Sequence, residues 1–392
     1  MPGRQQQFDK FGSASENLPR VSRQPHRRKK PDGQVSEFES QGAGHLLQYR
    51  LTSRNVQCII PLFGHQHGLP SMARILVTGA NGFLGVEIVR FLAARGDEVF
   101  AFDIAIGAAL LALANQHQRV TVVPGEITEW PHVASVVRDH RPDAIVHCAA
   151  IVGVVNSAAA PFATMRVNIG GSLNVFEAMR LFGVRRIINL STEEVYGEFG
   201  SERITEEHPC FPTMPYGISK FAVEQLGRDH AREYGTEVIH VRTCWVYGPG
   251  LPRPRVPKIF VDAALEGRPL HVAAGGDFRV DHVYIDDLVE GVAAALDKPK
   301  HRFDAYHIAS GQAPSLREIV DIVNETVQGA RISIGPGHYS FGDQFRVVRK
   351  GALDISRAGA ELGYVSRYDI RRGIAAYIAA RGTARSSTAP AP

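Results

Sequence analysis

Hydrophobic residues along the chain form short runs that alternate with helical patterns, and the first clear pair begins at residue 74. Ile75, Leu76 and Val77 form a compact apolar run, as expected of a strand that is buried on both faces. Thr78 and Gly79 then end this run. Apolar residues with helical spacing then begin at Val86, which predicts a helix directly after the turn.

The same alternation continues along the chain, with helical patterns between short apolar runs. Further strands are predicted over residues 98–103, 120–123, 143–148, 186–190, 238–241 and 306–309. Strands that alternate with helices predict an α/β fold with a Rossmann-type, doubly wound parallel sheet. Ligands bind to such sheets at the carboxyl ends of the strands, so the residues that follow each strand are the candidates for chemistry.

Several helices are predicted in more detail. A long helix over residues 161–181 is expected to turn Leu173 inward. Asn168 lies on this helix, and because a buried mid-helix Asn usually bonds locally, a functional role for it needs support from elsewhere. Asp286 is expected to act as the N-cap of a helix over residues 288–296, and Ser315 as the N-cap of the following helix.

Residues 1–71 differ in composition from the rest of the chain. They are rich in Gln, Ser, Arg, Gly and Pro and show little apolar periodicity, which predicts a disordered leader. We expect this leader to be dispensable, an upstream extension of the reading frame, because Met72 stands directly before the first predicted strand. A truncated protein that starts at Met72 and fails to fold would reject this hypothesis.

Charge and cysteine content narrow the possible partners. The chain of 392 residues has a formal net charge of +4, and residues 1–71 carry ten basic and five acidic residues, so the positive excess lies in the leader. The folded part therefore gives no indication of nucleic-acid binding. No apolar run reaches the roughly 18 residues of a membrane span. The four cysteines form no CxxC pair, which favours a reducing, cytoplasmic location and no metal site.

The glycines between the first strand and its helix indicate a dinucleotide site. Gly79 permits a tight turn, Gly82 lets backbone N–H groups approach a pyrophosphate, and Gly85 lets the helix pack close to the strand. Asp103 ends the second strand at the position of an acid that accepts hydrogen bonds from the adenosine ribose. Because this carboxylate would repel a 2′-phosphate, NAD is favoured over NADP; the alternative is a solvated residue at the strand end.

Tyr216 and Lys220 lie four residues apart, which places both on one face of a predicted helix. A phenol with a pKa of about 10 is a poor base at neutral pH. The Lys220 ammonium and a positively charged nicotinamide would both favour the phenolate and make Tyr216 a general base. Thr192, at the end of the fifth strand, is placed to hold a substrate hydroxyl and share its proton.

Six motifs occur in the order seen in extended short-chain dehydrogenase/reductases, and over about residues 73–380 the chain resembles the NAD-dependent epimerase/dehydratase family. The motifs are TGANGFLG, HCAA, MRVNIGGSLNVFEAM, STEEVYGE, PYGISK and VYGPG. The resemblance implies catalytic roles for Thr192, Tyr216 and Lys220. It also implies a set of NAD contacts: Gly79, Gly82, Phe83, Leu84, Gly85, Asp103, Glu126, Ile127, Ala149, Ala150, Asn168, Tyr216 and Lys220.

The resemblance gives the pair Glu193–Glu194 a possible catalytic role. It is similar to the Asp-Glu pair of nucleotide-sugar 4,6-dehydratases, in which the first acid protonates a leaving hydroxyl and the second removes a proton α to a transient ketone. A first-position Glu is one methylene longer than the usual Asp. The alternative is that one of the two residues faces solvent or caps a turn.

The substrate side departs from the resemblance. Trp245 replaces an Asn that many sugar-nucleotide relatives carry, and Val280 replaces an Arg, with Arg279 one residue away on the opposite strand face. Basic residues that could bind the substrate anion instead lie in a Pro-rich loop: Arg253, Arg255 and Lys258. Trp245, Arg253, Arg255 and Arg279 are therefore the candidate substrate contacts, although the loop residues could also be simply solvated.

Together these features predict an NAD-dependent enzyme that removes hydride from a secondary alcohol of a carbohydrate-like substrate. A sugar-nucleotide epimerase or dehydratase is the first choice. The alternatives are a plain dehydrogenase of a non-nucleotide sugar acid or polyol, and a non-catalytic NAD sensor.

The predicted domains are an NAD-binding Rossmann domain over residues 72–250, to which parts of 280–310 return, a smaller α/β substrate-binding domain mainly over 251–380, and a tail over 381–392. The resemblance also implies a homodimer that associates through the helices of residues 161–181 and 215–234.

Overall fold

The computed structural model describes residues 72–341 and 345–387. The predicted leader over residues 1–71 lies outside these ranges, as do residues 388–392 of the predicted tail. The described strands are β1 Arg74–Thr78, β2 Glu98–Asp103, β3 Val120–Pro124, β4 Ala144–His147, β5 Arg186–Thr192, β6 Arg203–Ile204, β7 Glu237–Thr243, β8 Trp245–Tyr247, β9 Leu270–Val272, β10 His282–Tyr284, β11 Ala305–Ile308, β12 Ile332–Ile334, β13 Ser340–Phe341, β14 Phe345–Arg346 and β15 Ala352–Leu353. The α-helices are α1 Phe83–Arg95, α2 Ala108–Gln116, α3 Trp130–His140, α4 Val154–Ala159, α5 Pro161–Met165, α6 Gly171–Phe182, α7 Pro215–Tyr234, α8 Lys258–Leu265, α9 Ile285–Asp297, α10 Leu316–Thr326, α11 Ser356–Leu362 and α12 Ile370–Ser387.

Seven strands form the central sheet, in the order β11-β7-β5-β4-β1-β2-β3, and every neighbouring pair is parallel. The predicted α/β fold with a Rossmann-type doubly wound sheet is thus confirmed. The chain order reverses between β1 and β4, because β2 and β3 extend the sheet on one side and β4 and β5 on the other. This reversal opens a crevice at the carboxyl ends of β1 and β4, where such sheets bind ligands.

The first strand is buried on both faces, as its continuous apolar run predicts. Ile75 and Val77 belong to one core cluster, whereas Leu76 lies with Ile145 in a second cluster on the other face of the sheet. Alternate side chains of a strand point to opposite faces, so both core clusters need apolar residues from β1. Because β1 is packed on both faces, it holds the start of the turn that follows it in a fixed position.

The predicted long helix over residues 161–181 is interrupted in the structure. A wide π-type turn over Arg166–Gly170 separates α5 from α6. Leu173 is exposed rather than inward, so that prediction is wrong. The extra residue of a π-turn changes which side chains face the core, and turns of this kind often occur at functional sites.

The two predicted N-caps have different outcomes. Ser315 caps α10 in a full capping box: its hydroxyl accepts a hydrogen bond from the N–H of Glu318, and the Glu318 carboxylate accepts one from the N–H of Ser315. Asp286 is not an N-cap, because α9 begins one residue earlier at Ile285 and Tyr284 takes the cap position. Asp286 instead lies in the first turn, where a negative charge interacts favourably with the helix dipole.

Short two-stranded sheets, separate from the central sheet, pair C-terminal segments with earlier segments of the chain. Of these, β8 pairs with β10, and β15 pairs with β6, with Ala352 opposite Arg203 and Leu353 opposite Ile204. The second pair brings the segment before β15 next to the residues that follow β5. The division into domains at residue 250 stays a prediction. No helix in the described ranges combines the length and apolar character that a membrane crossing requires.

Candidate active site

The loop after β1 is shaped by glycines whose positions exclude larger residues. Gly79 has a φ of +69°, and a Cβ atom there would lie 2.6 Å from the backbone nitrogen of Ala149. A Cβ on Gly85 would lie 2.1 Å from the carbonyl oxygen of Gly79. The loop closes on itself through a 3.0 Å hydrogen bond from the N–H of Gly82 to that same oxygen. The glycine turn before α1 therefore leaves the backbone N–H groups at the helix N-terminus open to a pyrophosphate, which such a site binds.

Asp103 lies at the end of β2, directly beside this loop. Its carboxylate accepts hydrogen bonds from the backbone nitrogen of Asn81 at 2.9 Å and from that of Ala105 at 3.0 Å. The residue therefore holds the glycine loop in shape as well as lining the cavity described next. Glu126, at the end of β3, accepts a 3.0 Å hydrogen bond from the Thr128 hydroxyl, so local contacts orient it as well.

A cavity of about 960 Å³ extends from the glycine loop to the segment after β8. It is large enough to hold a cofactor together with part of a substrate, since ligand pockets commonly span about 300–1,000 Å³. Most of the predicted site residues line it: Gly79, Gly82, Phe83, Leu84, Gly85, Asp103, Glu126, Ile127, Ala149, Ala150, Thr192, Glu193, Glu194, Tyr216, Lys220, Trp245, Arg253 and Arg255.

Asn168 lies behind the cavity wall rather than in it. Its side-chain oxygen accepts a 2.8 Å hydrogen bond from the N–H of Ile151, and its amide donates to the carbonyl of Ile151 and to the Ser219 hydroxyl. Asn168 therefore bonds to distant segments rather than locally, and its contact with NAD stays a prediction. It ties Ile151, a cavity-lining residue, to helix α7.

Arg279 is not brought to the cavity. Its guanidinium is exposed and pairs with Glu318 at 3.2 Å, and it also donates to the carbonyl of Ala313. The isolated bridge between Arg279 and Ser315 turns this side chain toward α10. Lys258 is also outside the cavity lining, where it forms an ion pair with Asp262 one helical turn away.

Tyr216, Lys220 and Thr192 converge at the carboxyl end of β5. The Thr192 hydroxyl lies near the Tyr216 phenol and acts to lower its pKa. The Lys220 ammonium donates to the carbonyl of Leu190 at 2.7 Å. Burial lowers the pKa of Lys220 to about 8. Because β5 continues to Thr192, two residues beyond its predicted end, the threonine hydroxyl is held by the sheet itself.

The electrostatics of Tyr216 differ from the prediction. Burial raises the pKa of the phenol to about 12, against which the Arg253 guanidinium gives the largest opposing effect. Lys220 is not among the largest influences on this pKa. Its ammonium is directed at the Leu190 carbonyl instead. The sequence did not indicate that Arg253, in a loop beyond β8, would supply positive charge here.

The two glutamates after β5 occupy different environments. Glu193 is fully buried, and neither of its carboxyl oxygens has a hydrogen-bond partner in the described part of the chain. Burial raises the pKa of this carboxyl to about 8, while Lys350 and Arg255 oppose the shift. Glu194 instead forms a 3.1 Å ion pair with Lys350. At neutral pH the pair therefore presents a neutral carboxyl beside a charged carboxylate.

The substrate end of the cavity is formed by Trp245 and Arg255. The Arg255 guanidinium carbon lies 3.9 Å from the centroid of the Trp245 ring, which is a cation–π contact. The Nε atom of Arg255 is buried without a hydrogen-bond partner among the described residues. Arg253 is anchored by a 2.8 Å hydrogen bond to the carbonyl of Val152. Positive charge thus collects at one end of a cavity that the glycine loop closes at the other.

Comparison with known proteins agrees with this arrangement. The model of the NAD dependent epimerase/dehydratase family matches residues 75–309. A dTDP-glucose 4,6-dehydratase of Actinoplanes sp. is 30% identical over 320 residues, which cover 78% of this chain and 97% of the relative. A UDP-glucose 4-epimerase of Mycolicibacterium smegmatis is 30% identical over 308 residues, which cover 77% of this chain and 96% of the relative.

Solved structures give the same result. The UDP-glucose 4-epimerase of Thermotoga maritima with UDP-glucose superposes with a TM-score of 0.71 at 28% identity, covering 79% of this chain and 99% of that one. The dTDP-glucose 4,6-dehydratase of Streptomyces venezuelae with NAD bound gives a TM-score of 0.68 at 29% identity, covering 79% and 98%. These similarities support NAD as the cofactor, and they favour an epimerase or dehydratase over a plain dehydrogenase or an NAD sensor.

Proposed function

The chain belongs to the NAD-dependent epimerase/dehydratase family, and we propose that it is a dehydratase acting on a nucleotide-linked sugar. The observation that carries this proposal is the pair Glu193–Glu194, which combines a buried carboxyl without a hydrogen-bond partner among the described residues with a carboxylate held in an ion pair. Oxidation and re-reduction alone need only the residues around Tyr216. A neutral acid beside a charged base is what an elimination requires in addition.

NAD fits the cradle formed by the glycine loop, where added Cβ atoms would strike backbone. Gly79, Gly82 and Gly85 leave room for the pyrophosphate, and Asp103 is placed to accept hydrogen bonds from the ribose. A bound NAD would supply the acceptor for a hydride from the substrate alcohol and the donor for its later return. Lys220, which lines the same cavity, is placed to orient the nicotinamide ribose.

Tyr216 and Thr192 handle the hydroxyl proton of the substrate. Their side chains lie close together and both line the cavity, so a substrate hydroxyl that contacts both can pass its proton to the phenolate oxygen. Because burial raises the pKa of Tyr216, the phenol must first lose its own proton, and positive charge nearby is needed to stabilise the phenolate that then acts as the base. Arg253 supplies one such charge from across the cavity.

The elimination uses the two glutamates in separate roles. Glu194 removes the proton α to the ketone, and the electron pair of that C–H bond forms a carbon–carbon double bond. The bond to the neighbouring hydroxyl breaks as Glu193 donates its proton, so water leaves. Glu193 suits this role because its burial keeps the proton on the carboxyl at neutral pH.

We assign substrate binding to Trp245, Arg253 and Arg255. The half-buried guanidinium of Arg255 keeps one N–H without a partner among the described residues, and stacking on Trp245 holds it in place. A diphosphate is the group in a nucleotide sugar that two guanidiniums would recognise.

The test is incubation of the purified protein with NAD and a panel that includes dTDP-glucose and UDP-glucose in deuterated water. A dehydratase gives a keto product that has lost one water and gained solvent deuterium at the carbon next to the ketone, with no net NADH. An epimerised product with no loss of water would instead assign the site to epimerisation. Stoichiometric release of NADH would assign it to net oxidation.

The same proposal includes a homodimer. Apolar side chains are exposed on the helices named for it, including Phe162 at 82%, Leu173 at 45% and Ile218 at 41%. A second copy of this chain would cover them, which would explain why Leu173 faces outward. We also place the enzyme in the cytoplasm, since Cys148, Cys210 and Cys244 are free thiols. Light scattering at several protein concentrations tests the dimer.

A further inference from the structure

A buried lysine from the C-terminal segment lies against the candidate active site. The Lys350 side chain is fully buried, although lysine is rarely buried without a partner. Its ammonium donates to Glu194 at 3.1 Å and to the carbonyl of Gly197 at 3.1 Å, and it lies 5.2 Å from the centroid of the Phe199 ring. All three contacts are to the segment that follows β5, so the Lys350 ammonium links three residues of that segment.

The surrounding backbone holds Lys350 in place. The pairing of β15 with β6 begins two residues after it, and the N–H of Phe199 donates to the carbonyl of Arg349 at 3.0 Å. The Arg349 side chain donates back to the carbonyl of Phe199 at 2.9 Å. Lys350 is therefore fixed between two backbone attachments, and its position relative to Glu194 does not depend on a flexible loop.

A cation at this position determines which of the two adjacent carboxyls carries the negative charge. Without it, Glu193 and Glu194 would share one proton in a poorly solvated site, and either of them could carry the charge. Of the two carboxyls, only Glu194 forms an ion pair with Lys350 in the described part of the chain, while Glu193 has no hydrogen-bond partner there, which favours Glu193 as the protonated member. The other charged or titratable groups that face the pair include Arg255 from the segment after β8, Tyr216 from α7, Cys244 between β7 and β8, and Asp281 before β10.

We propose that Lys350 is a positioning residue for the elimination: its buried ammonium fixes Glu194 as the charged base and so leaves Glu193 as the neutral acid. This role rests on the proposed dehydratase function. Lys350 itself does not line the cavity and acts through Glu194. The dehydratase would thus divide acid and base roles between two identical side chains by means of a third residue, 156 positions further along the chain.

The first test compares Lys350→Met and Lys350→Arg with the wild type on the sugar nucleotide that the panel identifies. We expect Lys350→Met to lower kcat by about tenfold to a hundredfold with little change in KM, and Lys350→Arg to restore most of the rate. Lys298→Met is the matched control, since Lys298 pairs with Glu361 outside the cavity. A Lys350→Met enzyme with wild-type kcat, or one that Lys350→Arg does not improve on, would overturn the proposal.

A double variant separates a role through Glu194 from a general effect on folding. If Lys350 acts through Glu194, Lys350→Met combined with Glu194→Gln is no slower than Glu194→Gln alone. Independent, multiplying losses would count against the proposal. Should Lys350→Met fail to fold, Lys350→Gln removes the charge while keeping a donor for Gly197, and the same comparison applies.

A second readout needs no substrate. In the NAD-loaded protein with carbon-13 at the glutamate carboxyls, and with Glu193→Gln for assignment, the Glu193 titration is followed in the wild type and in Lys350→Met. Because the ammonium now opposes the effect of burial, its removal moves the Glu193 midpoint to higher pH. An unchanged midpoint means that Lys350 only packs. A shifted midpoint with no turnover on the panel would retain the charge role while rejecting the dehydratase function.

Discussion

The two ends of the cavity are built in different ways. The cofactor end is mostly backbone from one continuous β1–α1–β2 unit, where Gly79 and Gly85 leave no space for a side chain. The substrate end is made of side chains from segments far apart in the sequence, and Lys350 meets Glu194 across 156 residues. A local chain conformation can be recognised from a short stretch of sequence, whereas a charge that arrives through tertiary packing cannot.

This difference also separates the kinds of failure that substitutions cause. At the cofactor end, a change disturbs packing and cofactor affinity, because the groups involved are backbone amides. At the substrate end, a change removes a proton donor, an acceptor or a charge, and it alters the rate or its pH dependence. The following substitutions test that distinction, from the largest expected effect to the smallest.

Tyr216→Phe removes the phenol oxygen that accepts the substrate proton. We expect kcat to fall by about a thousandfold, within the range seen when an acid–base group is lost. NAD affinity, measured by fluorescence titration, should change little, because the cofactor cradle is backbone. Loss of NAD binding in this variant, with turnover per bound cofactor preserved, would contradict the division of roles between the two ends.

Glu193→Gln keeps the shape of the side chain but removes the proton that leaves with the hydroxyl. We expect kcat for dehydration to fall by about a hundredfold, measured as product formation at pH 7. Oxidation of the alcohol should survive, so the keto intermediate or bound NADH should accumulate. Unchanged dehydration would remove Glu193 from the mechanism.

The same variant makes a prediction about stability. The folded protein retains the Glu193 proton up to a pKa of about 8, whereas the ordinary value is 4.5. The folded state therefore binds more protons than the unfolded state in this window, and the free energy of unfolding of the wild type falls as pH rises through it. Glu193→Gln lacks this loss, so its stability relative to the wild type should increase between those pH values in urea titrations.

Gly85→Ala tests the cofactor end. The new Cβ would lie 2.1 Å from the carbonyl of Gly79, so the loop or the helix must shift. We expect a loss of about 1–3 kcal/mol in the free energy of unfolding, together with weaker NAD binding. Gly170→Ala is the matched control, because a Cβ there meets no atom within 4 Å. Equal effects of the two substitutions would show that the tight approach at Gly85 is unimportant.

Ser315→Ala is expected to give the smallest effect, and it tests whether a residue outside the cavity lining influences catalysis. It removes one half of the capping box at the start of α10, which we expect to cost about 1 kcal/mol in the free energy of unfolding. Because Ser315 lies outside the cavity lining, kcat and KM should stay at wild-type values. A kinetic change without loss of stability would mean that the site reaches further than described.

Sequence patterns predicted the sheet well because each strand is a short apolar run with its own local signal. β2 has its predicted bounds, and β1 is buried on both faces as its composition indicates. The glycine loop was predictable for the same reason, since its geometry depends on nearby residues.

The remaining features depend on contacts that no local pattern records. The π-turn at Asn168, the ion pair of Arg279 with Glu318 and the influence of Arg253 on Tyr216 all arise from packing between distant segments. Lys350 was missed entirely. Its neighbours in the sequence form no motif, and only the pairing of β15 with β6 brings it to Glu194.

The central claim is that this site holds one neutral and one charged glutamate side by side. The most direct test is the carboxyl titration of Glu193 in the wild-type protein, followed by carbon-13 NMR and assigned with Glu193→Gln. The account predicts a midpoint near pH 8. A midpoint near the ordinary value of 4.5 would mean that Glu193 is charged at neutral pH and cannot supply the proton for dehydration.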